Sequence, residues 1–124
     1  MAQKEGLTRE EIEITLLNFH GSETFFRVYP KLIITEGVQY LCESAQCFWL
    51  LDAIWSYQML KEVRDQYFQV INLSVDLEKR KGTIVVTDGN ENEIHRQELD
   101  YTDFPLPSIR LYYTDDTVLL PKEY

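Results

Sequence analysis

Apolar and polar positions change their spacing midway along this chain. From Val38 to Tyr57 apolar residues fall on most sides of a helical wheel. At about 100° per residue, Val38, Leu41, Cys42, Ala45, Phe48, Trp49 and Asp52 share one stripe, and Cys47, Leu50, Leu51 and Ile54 share the opposite one. A helix that is apolar all round is either a core helix or a membrane span. Glu43, Gln46 and Asp52 interrupt the run well short of the roughly 18 residues a span requires. The pattern therefore predicts a buried central helix over Leu41 to Tyr57, with Val38 to Cys42 able to form either its lead-in or a strand of a small hairpin. The rest of the chain reads as cover for that helix.

Upstream, Thr8 and Glu11 have the spacing of a capping box, Glu10, Glu11 and Glu13 suit the positive end of a helix, and Gly21 marks its stop. Residues 1–6 are expected to be a loose tail. Phe25 to Tyr29 and Lys31 to Thr35 are aromatic and β-branched on either side of Pro30, which predicts a short extended segment or edge strand.

After the short connection Gln58 to Gln66 the period becomes two. Ile71, Leu73, Val75 and Leu77 alternate with Asn72, Ser74 and Asp76, as in a strand with one buried face. Glu78 to Gly82 reads as a turn, Thr83 to Thr87 as a strand, and Asp88-Gly89-Asn90 as a hairpin. Glu93 to Tyr101 alternates again, and Thr102 to Pro107 is a proline-bracketed loop. Ser108 to Tyr113 and Thr117 to Leu120 close the chain as a hairpin around Asp115 and Asp116. Strands joined by short turns predict an antiparallel meander of four to six strands with two to three helices packed on one face. The fold class is α+β, in one domain spanning residues 1–124.

The charge narrows the partners. The 124 residues carry a net charge of −9, and residues 88–116 hold eight acids against Arg96 and Arg110 alone. Nucleic acid and anionic membranes would have to be bound against that field, so neither is expected as a ligand. A protein with a basic surface is the expected partner. Asp88, Glu91, Glu93, Asp100, Tyr101, Asp103, Phe104, Asp115 and Asp116 are the candidate partner-binding residues, because carboxylates speed encounter and aromatics hold the docked complex.

Catalytic and metal chemistry find little support. No phosphate-binding, dinucleotide or nucleophile-elbow motif is present. The two histidines, His20 and His95, lack further ligands at zinc spacing. Asp88 to Glu93 (DGNENE) places oxygens as a calcium loop does, but its glycine comes second, and Leu99 stands where the closing glutamate belongs. No cofactor, metal or catalytic residue is assigned. Asp52, inside the apolar helix, is either a packing anchor paired with an arginine such as Arg27 or Arg110, or a desolvated acid of a small enzyme. Lys79-Arg80-Lys81 reads as a solvated turn tip, with contact to a phosphate or an acidic partner as the alternative. Cys42 and Cys47 would lie about 140° apart on one helix, too far round for a disulfide, and read as small buried hydrophobes in a reducing compartment. No secretory pattern opens the chain, so a cytoplasmic location is expected.

Five segments together resemble a family of small bacterial and phage proteins of unknown function. They are Glu36-Gly37-Val38 with Tyr40-Leu41, Phe48 to Asp52, Tyr101 to Leu106, and the terminal Leu119-Leu120-Pro121-Lys122-Glu123-Tyr124. The resemblance implies a compact cytosolic domain, a mobile-element origin and no assigned reaction, and it transfers no active-site residues. Small residues such as alanine are expected where Cys42 and Cys47 stand. With the acidic balance, it points to a non-catalytic protein-binding protein, in its sharpest form an inhibitor of a host defence complex of the anti-CRISPR kind. The alternative is a self-associating module, a homodimer through Tyr29, Trp55 and Tyr57; an enzyme built on Asp52 ranks below both.

Overall fold

The computed structural model describes residues 7–21 and 24–124. The expected tail, residues 1–6, lies outside them. Helix α1 (Arg9–Leu16) is followed by strands β1 (Phe25–Tyr29) and β2 (Leu32–Thr35). Helices α2 (Glu36–Ser44), α3 (Phe48–Tyr57) and the single turn α4 (Lys61–Arg64) come next. Five strands close the chain: β3 (Phe68–Asp76), β4 (Lys81–Thr87), β5 (Glu93–Leu99), β6 (Ser108–Thr114) and β7 (Thr117–Leu119). The α+β class holds, with more strands than the four to six expected: seven in one mixed sheet, ordered β1-β2-β7-β6-β3-β4-β5. The simple meander ends at β5. Strand β6 returns to pair with β3, and β2 runs parallel to β7.

The capping box forms as the spacing dictates: the Thr8 amide donates to Glu11 Oε1 at 2.7 Å, and the Glu11 amide donates to Thr8 Oγ1 at 3.1 Å. The helix ends at Leu16, ahead of Gly21. The long central helix is two helices. Gln46 takes a positive φ of 56°, and the Cys47 amide donates 3.0 Å back to the Cys42 carbonyl, the six-to-one bond of a Schellman cap. This corner rephases the helical stripe. Val38, Leu41 and Cys42 stay buried in α2 and Leu50, Leu51 and Ile54 in α3, while Phe48 and Asp52, predicted on the α2 stripe, turn outward.

The sheet meets the helices through alternate residues. Ile71 and Leu73 of β3 lie beside Val86 and Ile84 of β4 and Leu111 of β6, all buried. Two long-range ties complete the layer. The guanidinium of Arg80 donates to the Thr102 carbonyl at 3.1 Å and the Phe104 carbonyl at 2.8 Å, pinning the loop that carries the chain from β5 across to β6. Arg80 is therefore a structural staple within the basic run that reads as a solvated tip. At the other tie, Glu123 is buried against the N-terminus of α2. It accepts from Thr35 Oγ1 at 2.5 Å, the Gly37 amide at 3.1 Å and the Leu120 amide at 2.9 Å. A side chain on Gly37 would meet Leu120 Cδ1 at 2.6 Å and Glu123 Oε2 at 2.8 Å, so the terminal segment requires glycine there. Two segments far apart in the chain, Glu36-Gly37-Val38 and Leu119 to Tyr124, thus form one contact.

Candidate partner-binding surfaces

The acidic candidates divide between opposite ends of the sheet. Asp88, Glu91 and Glu93 sit on the β4–β5 hairpin and Asp115 and Asp116 on the β6–β7 hairpin, both at the end where β3 begins. Asp100, Tyr101 and Asp103 follow β5 at the other end, about 20 Å away along β4 at strand rise. Phe104 has no exposed surface: it belongs to the core, so it cannot form part of a docking face. The predicted single acidic and aromatic face is therefore two separate clusters. The strand reversal between β5 and β6, invisible as a pattern, divides them.

Each cluster has its own local chemistry. Asp88 accepts from the Asn90 amide at 2.7 Å, the Asn92 amide at 3.0 Å and Asn92 Nδ2 at 3.0 Å, which closes the hairpin, and the Asn92 bonds hold its carboxyl below the usual carboxylate range. Glu93 is lowered likewise by the Arg96 guanidinium 2.9 Å away. Tyr67, 74% exposed, donates to Asp115 Oδ2 at 3.4 Å and adds an aromatic to this end. At the opposite end Tyr101 and Asp103 line a groove of about 220 Å³ with Trp49.

Between α3, α4 and the β6–β7 hairpin lies a cleft of about 570 Å³, lined by Lys31, Trp55, Arg64, Tyr67, Asp115 and Asp116 among others. Its polar floor is internally paired. Gln58 and Gln69 exchange amide hydrogen bonds of 2.9 and 3.0 Å, Gln69 also donates to the Val63 carbonyl at 2.9 Å, and Tyr113 donates to the Lys31 carbonyl at 3.1 Å. Burial, with Asp116 nearby, pushes the Tyr113 phenol up to about 12, so it keeps its proton at neutral pH and is no base or nucleophile there.

Asp52 is exposed rather than desolvated. It accepts a short hydrogen bond from the Tyr29 hydroxyl, which raises the Tyr29 pKa. Neither candidate arginine pairs with it: Arg27 donates to the Pro30 carbonyl and Arg110 to Asn72. The aromatics expected to form a dimer patch are engaged within the chain. Trp55 stacks on Tyr29 with centroids 5.2 Å apart, and Tyr57 is buried, donating to Gln97 and packing on His95. Among the described residues no three or more His, Cys, Asp or Glu side chains converge on a point that could hold a metal ion.

The surface that sequence reasoning missed lies at β1. Among the described residues strand β1 ends the sheet with no strand paired beyond it, and Phe25, Phe26 and Val28 are exposed along it, Phe25 to 53%. Ile14 of α1 and Leu17 at its C-terminal cap are also exposed, to 63% and 56%. The signal was present in the sequence: Phe25 to Tyr29 is apolar at four of five places without alternation, which a strand with one solvated face does not need.

Fold and surface together define a helix-backed mixed-sheet domain with an open apolar edge and acidic strand ends. Residues 10–124 match a family of unknown function, DUF6876, and the chain belongs to that family. No curated protein and no solved structure matches it. Among the described residues no helix is long and apolar enough to cross a membrane.

Proposed function

We propose that this protein works by binding another protein, taking an extended segment of a basic partner along the open edge of β1. The exposed edge itself carries the reading. Sheet edges in proteins that stay unpartnered are blunted by charge, proline or covering elements. Here β1 presents three large hydrophobics and a single cation, Arg27, and its proline follows the strand. An added strand supplies the missing main-chain hydrogen bonds and covers alternate side chains, the usual source of affinity and specificity in strand addition.

Charge selects the partner. Two copies at −9 repel each other, whereas a basic protein is drawn in from a distance. Asp88, Glu91, Glu93, Asp115 and Asp116, with Tyr67 beside them, supply steering in this reading, and β1 supplies contact. Inhibition of a nucleic-acid-handling defence complex in the cytoplasm of a bacterium, by a protein of phage or mobile-element origin, is its narrower form. That form rests on the resemblance and the charge alone.

Matched pull-downs from lysate of the source organism test the reading, with wild-type bait and a Phe25→Lys/Val28→Lys bait at low and high salt. The expected result is a protein retained by wild type at low salt and reduced at least about tenfold both by salt and by the edge substitutions, with the fold intact by circular dichroism. A partner held equally by both baits overturns the edge. Recovery of the bait alone, as a defined oligomer, replaces this reading with self-association.

A further inference from the structure

The corner between α2 and α3 brings two thiols together. In a Schellman cap the side chains at the third residue from the helix end and at the second position beyond it pack against each other. Here those positions are Cys42 and Cys47, bridged by the 3.0 Å amide-to-carbonyl bond described above. Both cysteines are free and buried. The Cys47 thiol donates to the Leu41 carbonyl at 3.8 Å, and the neighbouring Cys42 thiol, with burial, pushes its pKa up. Cys42, though only 1% exposed, also lines a surface cleft of about 410 Å³ with Glu43, Gln46, Phe48 and Trp49. An unbroken helix would have held the two sulfurs on different sides.

We propose that Cys42 and Cys47 form a dithiol modification site, which a peroxide entering this cleft converts to a disulfide stapling the end of α2 to the start of α3. The Cys42 sulfur, losing its proton, attacks a peroxide oxygen; the O–O bond breaks, water leaves and Cys42 becomes a sulfenic acid. The Cys47 sulfur then attacks the Cys42 sulfur, the S–S bond forms, and a second water departs with the Cys47 proton. The sulfur pair loses two electrons and hydrogen peroxide gains them.

The test uses the full-length reduced protein and hydrogen peroxide, followed by unfolding, alkylation with N-ethylmaleimide and intact mass. Maleimide uptake counts free thiols and is untouched by methionine oxidation. The expected product takes up no maleimide, remains monomeric, returns to two free thiols with dithiothreitol, and melts about 3 °C or more above the reduced form. Cys42→Ala and Cys47→Ala should each fail to form it; if either fails to fold, the wild-type readouts stand alone. Two maleimides after an exposure that oxidises the urea-unfolded chain overturn the proposal. So does a disulfide form that melts at or below the reduced protein, since the native corner would then be incompatible with the bond.

Discussion

Replacing Glu123 with alanine is the most demanding check on how the fold closes. The substitution removes the carboxylate that accepts from Thr35 Oγ1, the Gly37 amide and the Leu120 amide at the positive end of α2. A buried donor left without a partner costs about 1 to 3 kcal/mol, and the helix-end charge interaction adds up to about 2 kcal/mol where partly buried. Because water can enter beside the exposed Tyr124, a net loss of about 3 to 5 kcal/mol is expected, a drop of roughly 12 to 20 °C in Tm for a chain of this size. Glu123→Gln keeps the shape and one acceptor oxygen, so it should lose only about 1 to 2 kcal/mol. The assay is urea unfolding followed by circular dichroism. A double-mutant cycle with Thr35→Val should show a coupling of at least about 0.5 kcal/mol, because both groups share one bond. Less than about 1 kcal/mol lost in Glu123→Ala, with no coupling to Thr35, would refute the terminal latch.

Other outcomes follow from the same contacts. Gly37→Ala should destabilise by about 2 kcal/mol in the same assay, because the added methyl meets Leu120 Cδ1 and Glu123 Oε2 below contact distance, and Leu120→Ala should relieve part of the loss. Arg80→Ala should cost about 2 to 3 kcal/mol, and Arg80→Lys most of that, since an ammonium cannot span the Thr102 and Phe104 carbonyls as the guanidinium does; amide exchange should quicken first at residues 102–107. Burial pushes the phenols of Tyr57 and Tyr113 up to about 12, whereas unfolded phenols ionise near 10. Between these values the native state binds more protons than the unfolded one. Stability is thus fully present below about pH 10 and falls through pH 12, by roughly 2 to 3 kcal/mol per phenol. Urea unfolding from pH 8 to 11.5 should show that decline, with a shallower slope in Tyr57→Phe.

Much of this protein was determined locally, because the forces concerned act within a few residues. The Thr8 and Glu11 cap, the alternation that buries Ile71 and Leu73, the hairpins at Asp88 and at Asp115-Asp116, and the apolar stripe of Leu50, Leu51 and Ile54 all follow from side-chain spacing and turn chemistry. The aromatic and β-branched residues either side of Pro30 marked an extended segment or edge strand, which in the structure is two paired strands, β1 at the edge and β2 inside it. Tertiary structure decided the rest. Gln46 can enter the left-handed region only where the cap and the core beneath it repay the strain, so a run that reads as one helix became two, and two separated thiols became neighbours. Strand order depends on contacts between residues 70 to 90 positions apart, such as β2 with β7 and Glu123 with Thr35, for which periodicity carries no signal. That order set the acidic residues at two ends of the sheet, drew Phe104 into the core under Arg80, and placed β1 with its exposed Phe25, Phe26 and Val28 at one edge.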